Sequence, residues 1–129
     1  MTLSVDQLDK FDQFCKKVIK IEGVRYIGII NIMGRTVTEK VKADFKYLIP
    51  DEKIRMAHIQ LSLDLAMRKE FTEYLGSVDK IIAYRDKVNI ATFPLASYFA
   101  MLSIERNVDV EKTINQVSNL AKEFKISTL

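Results

Sequence analysis

The chain has 129 residues, 48% hydrophobic and 29% charged, a globular composition with enough length to bury a core. Its net charge of +3 comes from 20 basic and 17 acidic residues interleaved along the chain, so no basic run marks a nucleic-acid footprint. A single cysteine excludes an intramolecular disulfide, no apolar run approaches the ~20 residues of a bilayer span, and residues 1–6 lack the basic-then-apolar plan of a signal peptide. The expectation is one cytoplasmic domain over residues 1–129.

The first predicted element is an amphipathic helix over residues 4–20. Ser4 and Gln7 fit a capping box, Leu8, Phe11, Phe14, Cys15, Val18 and Ile19 share one face, and Gly23 suits a C-cap. Residues 24–32 read as a strand, with Val24, Tyr26, Ile30 and Ile32 pointing one way and Ile27 and Ile29 the other. Apolar character on both faces makes it central. Met33 and Gly34 form a turn. Residues 35–42 then read as a half-buried strand near an edge, with Val37 and Val41 on one face and Thr36, Thr38 and Lys40 on the other.

A loop with Phe45, Tyr47 and Pro50 leads into a long helix over residues 51–75. Pro50, Asp51 and Glu52 suit its start and Gly76 its end. It carries two apolar stripes. Ile54, Ala57, Leu61, Leu65 and Leu75 form one; Met56, Ile59, Leu63, Met67 and Tyr74 form the other, nearly opposite. A sheet covers only one of them, so the second needs a helix neighbour or another subunit. Three strands follow over residues 78–84, 88–93 and 98–105, with Pro94 interrupting before the last. That last strand is apolar on both faces and hence central. Asp109 caps a final helix burying Val110, Ile114, Val117, Ala121 and Phe124, and the tail from Ile126 frays. Short turns between strands argue for a mostly antiparallel sheet with helices on its faces: an α+β fold of order α-ββ-α-βββ-α.

No catalytic constellation emerges. His58, the sole histidine, falls between the apolar stripe and the polar face of its helix, beside Arg55, Ser62 and Lys69, and reads as an ordinary surface or half-buried residue without a positioned partner. Cys15 reads as a small buried hydrophobe. One histidine and one cysteine do not suggest a transition-metal site, and Gly28 and Gly34 do not form a phosphate loop. No cofactor is expected. Gly34 reads as a turn glycine and Gly28 as a mark of close helix packing. Met56 and Met67 suit an adaptable contact surface. Arg85 and Arg106 read as solvated strand ends, with partner contact as the alternative.

Four segments carry a resemblance: Val24-Arg25-Tyr26-Ile27-Gly28-Ile29-Ile30-Asn31-Ile32-Met33-Gly34-Arg35, Ala66-Met67-Arg68-Lys69-Glu70-Phe71, Tyr84-Arg85-Asp86-Lys87-Val88 and Ser103-Ile104-Glu105-Arg106-Asn107-Val108-Asp109. With the element order they resemble the roadblock family of dynein light-chain-like domains, and within it a group of short archaeal proteins. Longin and profilin folds share similar layouts. The resemblance implies a five-stranded antiparallel sheet with one helix on one face and two on the other. It also implies a homodimer that pairs the strand after the middle helix and packs the middle helices together, and a non-catalytic role as scaffold or regulator of a small GTPase or signalling complex. Met56, Ile59, Leu63, Met67, Tyr74, Ile81 and Tyr84 are the expected dimer or partner contacts. An apolar edge at Ile81-Ile82-Ala83-Tyr84 would be a hazard if left bare. The alternative is a small-molecule sensor in which Tyr26, Tyr84 or Phe93 lines a pocket.

Overall fold

The computed structural model describes residues 3–126. The extreme N-terminal residues and the tail beyond Ile126 lie outside the described residues; Ile126 itself is buried against the core rather than frayed. Helix α1 spans Val5–Val18, started by Ser4, whose hydroxyl accepts the Gln7 N–H at 3.1 Å. It ends before Gly23, whose positive φ of 89° instead serves the entry to the first strand.

The sheet has five antiparallel strands in the order β2-β1-β5-β4-β3. They are β1 (Val24–Ile30), β2 (Thr36–Val41), β3 (Ile81–Tyr84), β4 (Asn89–Leu95) and β5 (Tyr98–Ile104). The two strands apolar on both faces, β1 and β5, are interior, as their sequences predict. Pro94 lies inside β4 rather than interrupting it. Leu95 and Tyr98 flank the turn to β5, so Pro94 occupies a pair that makes no hydrogen bond to β5, and β3 does not extend past Thr92 to need its missing donor.

Two bulges correct the expected facing. A register shift between Val24 and Tyr26 turns Val24 into the same core as Ile27 and Ile29, away from Tyr26. A second shift, opposite Ile29 and Ile30, places Val37 against that core, on the side from which Thr38 and Lys40 reach Asp12 of α1; Val41 is left exposed. Ile32 falls outside β1, in the turn, and is 70% exposed.

One face of the sheet is covered by α1 and α4 (Val110–Glu123). Asp109 caps α4 by accepting the Lys112 N–H at 3.1 Å. Phe11, Phe14, Val18, Ile27, Ile29, Phe93, Leu102, Ile114 and Val117 fill this core, with Phe124 edge-on to Phe14. Cys15 is fully buried there, and burial pushes its thiol up to about 12. A thiol reagent at about pH 8 should therefore leave the folded chain unlabelled and react fully in denaturant. Rapid labelling of native protein would contradict this packing.

The other face carries α2 (Asp51–Lys69). Its core is small: Ile30, Leu65 and Phe99, with Leu61, Val78, Ile81 and Met101 packed around them. The expected single helix over 51–75 is broken at Phe71, and a separate turn, α3 (Thr72–Leu75), follows before Gly76 at φ 86°. The break changes the phase of the stripe. Leu75, expected on the covered side, is 82% exposed.

Candidate functional site: an uncovered helix face beside an open sheet edge

The face of α2 toward the sheet is formed by Ile54, Ala57, His58, Leu61, Ser62 and Leu65, of which His58, Ser62 and Leu65 are buried. Both polar residues lie deeper than their place beside the polar face of the helix suggests. The β1–β2 turn takes them in. The Ser62 hydroxyl donates to the Ile32 carbonyl at 2.7 Å, and Gly34, at φ 80°, brings that turn against α2 so closely that a Cβ there would sit 3.2 Å from the Ile59 nitrogen. A side chain at position 34 has no room, which is a second reason for glycine besides the turn itself. Gly28 has a different cause from the one its sequence suggests. The ring of Tyr26, not a helix, lies over it and reaches the Glu39 carboxylate at 2.6 Å. Tyr47 donates to the other Glu39 oxygen at 3.1 Å; burial first, and Glu39 next, push its phenol up to about 12.

The opposite side of α2 is bare. Met56, Ile59, Leu63 and Met67 are 58%, 37%, 56% and 68% exposed, an apolar row that is largely uncovered among the described residues, with Ile59 at its margin meeting the Gly34 turn. Successive offsets of three, four and four residues keep them on one side of the helix. Tyr74, on α3, is also exposed, as are Phe71, Leu75, Ile32 and Met33. Of these last four, sequence reasoning places Leu75 in the opposite stripe, Ile32 in a strand and Met33 in a turn, and passes over Phe71 although it lies four residues beyond Met67. Ile81 is half-buried in the small core under α2. Tyr84 is exposed, but strand alternation sets it with Ile82 on the α1–α4 side, away from the α2 row.

The two sheet edges differ. On β2, Glu39 and Lys40 interrupt the edge, and Lys40 pairs with Asp12 at 2.9 Å, holding that carboxyl below its usual range. On β3, the edge reads Ile81-Ile82-Ala83-Tyr84 without a charge. The Arg85 N–H donates to the Val88 carbonyl, so the bonded pairs of this hairpin include Ala83–Ile90 but not Ile82–Ala91 or Tyr84–Asn89. The backbone groups of Ile82 and Tyr84 therefore point to the free edge. Arg106 donates to the Arg85 carbonyl and so is engaged within the chain.

Two surface grooves, of about 330 and 380 Å³, lie at Ile21–Val108–Lys112 and at Arg25–Lys42–Phe45 and are open to solvent. Tyr26, Tyr84 and Phe93 do not converge on either: Phe93 lies in the α1–α4 core, Tyr26 is buried under Phe45 and Tyr47, and Tyr84 faces outward. Among the described residues no cluster of three His, Cys, Asp or Glu side chains comes together, and no helix is long and apolar enough to cross a membrane.

The architecture is a five-stranded antiparallel sheet between two helices and one, presenting an apolar surface rather than a cleft. No family model and no curated protein matches the sequence. Solved structures do match the fold. The gliding protein MglB of Thermus thermophilus superposes with a TM-score of 0.73 at 11% identity, over 96% of this chain and 94% of that one. A roadblock/LC7 domain from Streptomyces avermitilis gives 0.67 at 8% identity, over 88% and 93%. MglC from Myxococcus xanthus gives 0.60 at 17% identity, over 90% and 97%. The chain has the roadblock/LC7 fold.

Proposed function

We propose that residues 1–129 form one non-catalytic, cytoplasmic roadblock-type module that pairs with a second copy of itself and, as a dimer, scaffolds or regulates a protein partner of the small-GTPase class. The observation that carries this reading is the bare row Met56, Ile59, Leu63 and Met67 on α2, on the same chain as a charge-free edge at β3. Exposed apolar area of this kind is characteristic of binding surfaces. A two-fold axis perpendicular to the sheet at β3 would join two such edges antiparallel and leave both α2 helices on one face of a continuous sheet. The fold's likeness to a protein described as MglB with tetrameric arrangement (TM-score 0.67, 10% identity) supports self-association. The GTPase class rests on the roadblock resemblance.

The direct test is absolute molar mass by light scattering across a dilution series. A dimer that dissociates only on strong dilution supports the reading; a monomer at every concentration removes it. The edge can be tested separately. The Tyr84 N–H serves no partner among the described residues, so Tyr84→Pro should leave the monomer folded, with stability changed by less than about 1 kcal/mol, while blocking strand pairing. A Tyr84→Pro protein with wild-type dimer affinity would exclude β3 from the contact.

A further inference from the structure

His58 is the chain's only histidine and sits where the candidate contact surface is fastened to the sheet. It is 4% exposed, one residue before Ile59 of the bare row and one helical turn before Ser62. The fastening is thin. Among the described residues it consists of the Ser62–Ile32 hydrogen bond, the Gly34–Ile59 approach, the His58 ring and a core of three buried residues with Leu61, Val78, Ile81 and Met101 half-buried around it. Elements held by so few buried contacts are the first to open locally.

We infer that α2 is a proton-sensitive element: protonation of His58 in the mildly acidic range loosens α2 from the β1–β2 turn and withdraws the Met56–Ile59–Leu63–Met67 row from pairing. The coupling to pairing rests on the dimer reading above; the loosening of α2 does not.

The groups around the ring set the sign. Glu39 on β2 is the charge that bears on it, with its oxygens already taken by the Tyr26 and Tyr47 hydroxyls; the Gly34 backbone faces it from the turn, and Arg55 is its charged neighbour one turn back on α2. Glu39 and Gly34 favour the charged ring, but loss of water on burial outweighs both and holds the imidazole below its ordinary 6.5. A loosened helix returns the ring to water and to that ordinary value. The loosened state therefore binds the proton more tightly, and the seated state loses ground as pH falls below about 6.5. Above that range both states are neutral at this position and the seat is at full strength.

Two measurements separate the parts. Hydrogen exchange of the α2 amides, corrected for intrinsic rates, should accelerate between about pH 7.5 and pH 5.5 in wild type and in the Leu63→Glu protein, and not in His58→Gln, by up to about tenfold. Dimer dissociation constants from light scattering over the same range should rise in wild type alone, by the square of the factor by which the seated fraction falls. Equal exchange in wild type and His58→Gln overturns the inference whatever the oligomeric state. Accelerated α2 exchange with an unchanged dissociation constant overturns the coupling and leaves the dimer standing. A monomer throughout removes the dimer reading and, with it, the coupling. Should His58→Gln fail to fold, the single histidine resonance of wild type decides: titration at or above 6.5 refutes a seat that resists protonation.

Discussion

Leu63→Glu is expected to abolish the proposed pairing without unfolding the chain. Leu63 lies mid-row on α2 and is 56% exposed in the isolated chain, so the substitution removes little internal packing and should change monomer stability by no more than about 0.5 kcal/mol. In the paired state the same position would be an apolar contact, and the two-fold axis would place a carboxylate there twice. An unpaired charge taken out of water costs several kcal/mol, so the dissociation constant should rise by on the order of a hundredfold or more. Thermal unfolding and light scattering on one sample read both effects. Lost dimer with an intact melt is the expected result. Retained dimer would move the contact off α2, and a collapsed melt would mean that the row is core.

Gly34→Ala is expected to damage the fold and the surface together. The position has φ 80°, which an L side chain adopts only under strain, and the new methyl would press on Ile59, including its backbone nitrogen at 3.2 Å. Strain and overpacking add, for a loss of roughly 2–4 kcal/mol in unfolding free energy. Because Ile59 belongs to the bare row, the displaced helix should also pair less well, unlike an equally destabilising change in the α1–α4 core. Denaturant unfolding measures the first effect. The dissociation constant compared with that of Phe14→Ala, which empties a fully buried site on the other face, measures the second. Equal pairing in the two variants would show that the turn does not position the row.

The order of elements, the interior places of β1 and β5, the caps at Ser4 and Asp109 and the bare row on α2 were legible because each is written in local periodicity or in a capping side chain. The bulges at Arg25 and Val37 were not. An extra residue reverses the facing of everything before or after it, and no pattern within one strand reports which partner residue is skipped. The break at Phe71 was hidden because residues 66–75 contain neither Gly nor Pro to announce it. His58 and Ser62 look like a polar interruption of a stripe. Their burial follows from a turn carbonyl and a glycine about thirty residues earlier, which is a property of the assembled fold. Of the expected contact residues, the four on α2 share a surface; Tyr74 lies past the break, Ile81 belongs largely to the core beneath, and Tyr84 to the other face.

The unequal edges of the sheet have a consequence for how far association can run. Two chains joined β3 to β3 would leave β2 at both ends of the ten strands, and there Glu39, with the Lys40–Asp12 pair, disfavours a further strand. Growth along the hydrogen-bonding direction would thus terminate after one addition. The same sequence that leaves an aggregation-prone strand bare would confine it to a closed pair, and a variant that neutralised β2 would be the one to watch for fibres.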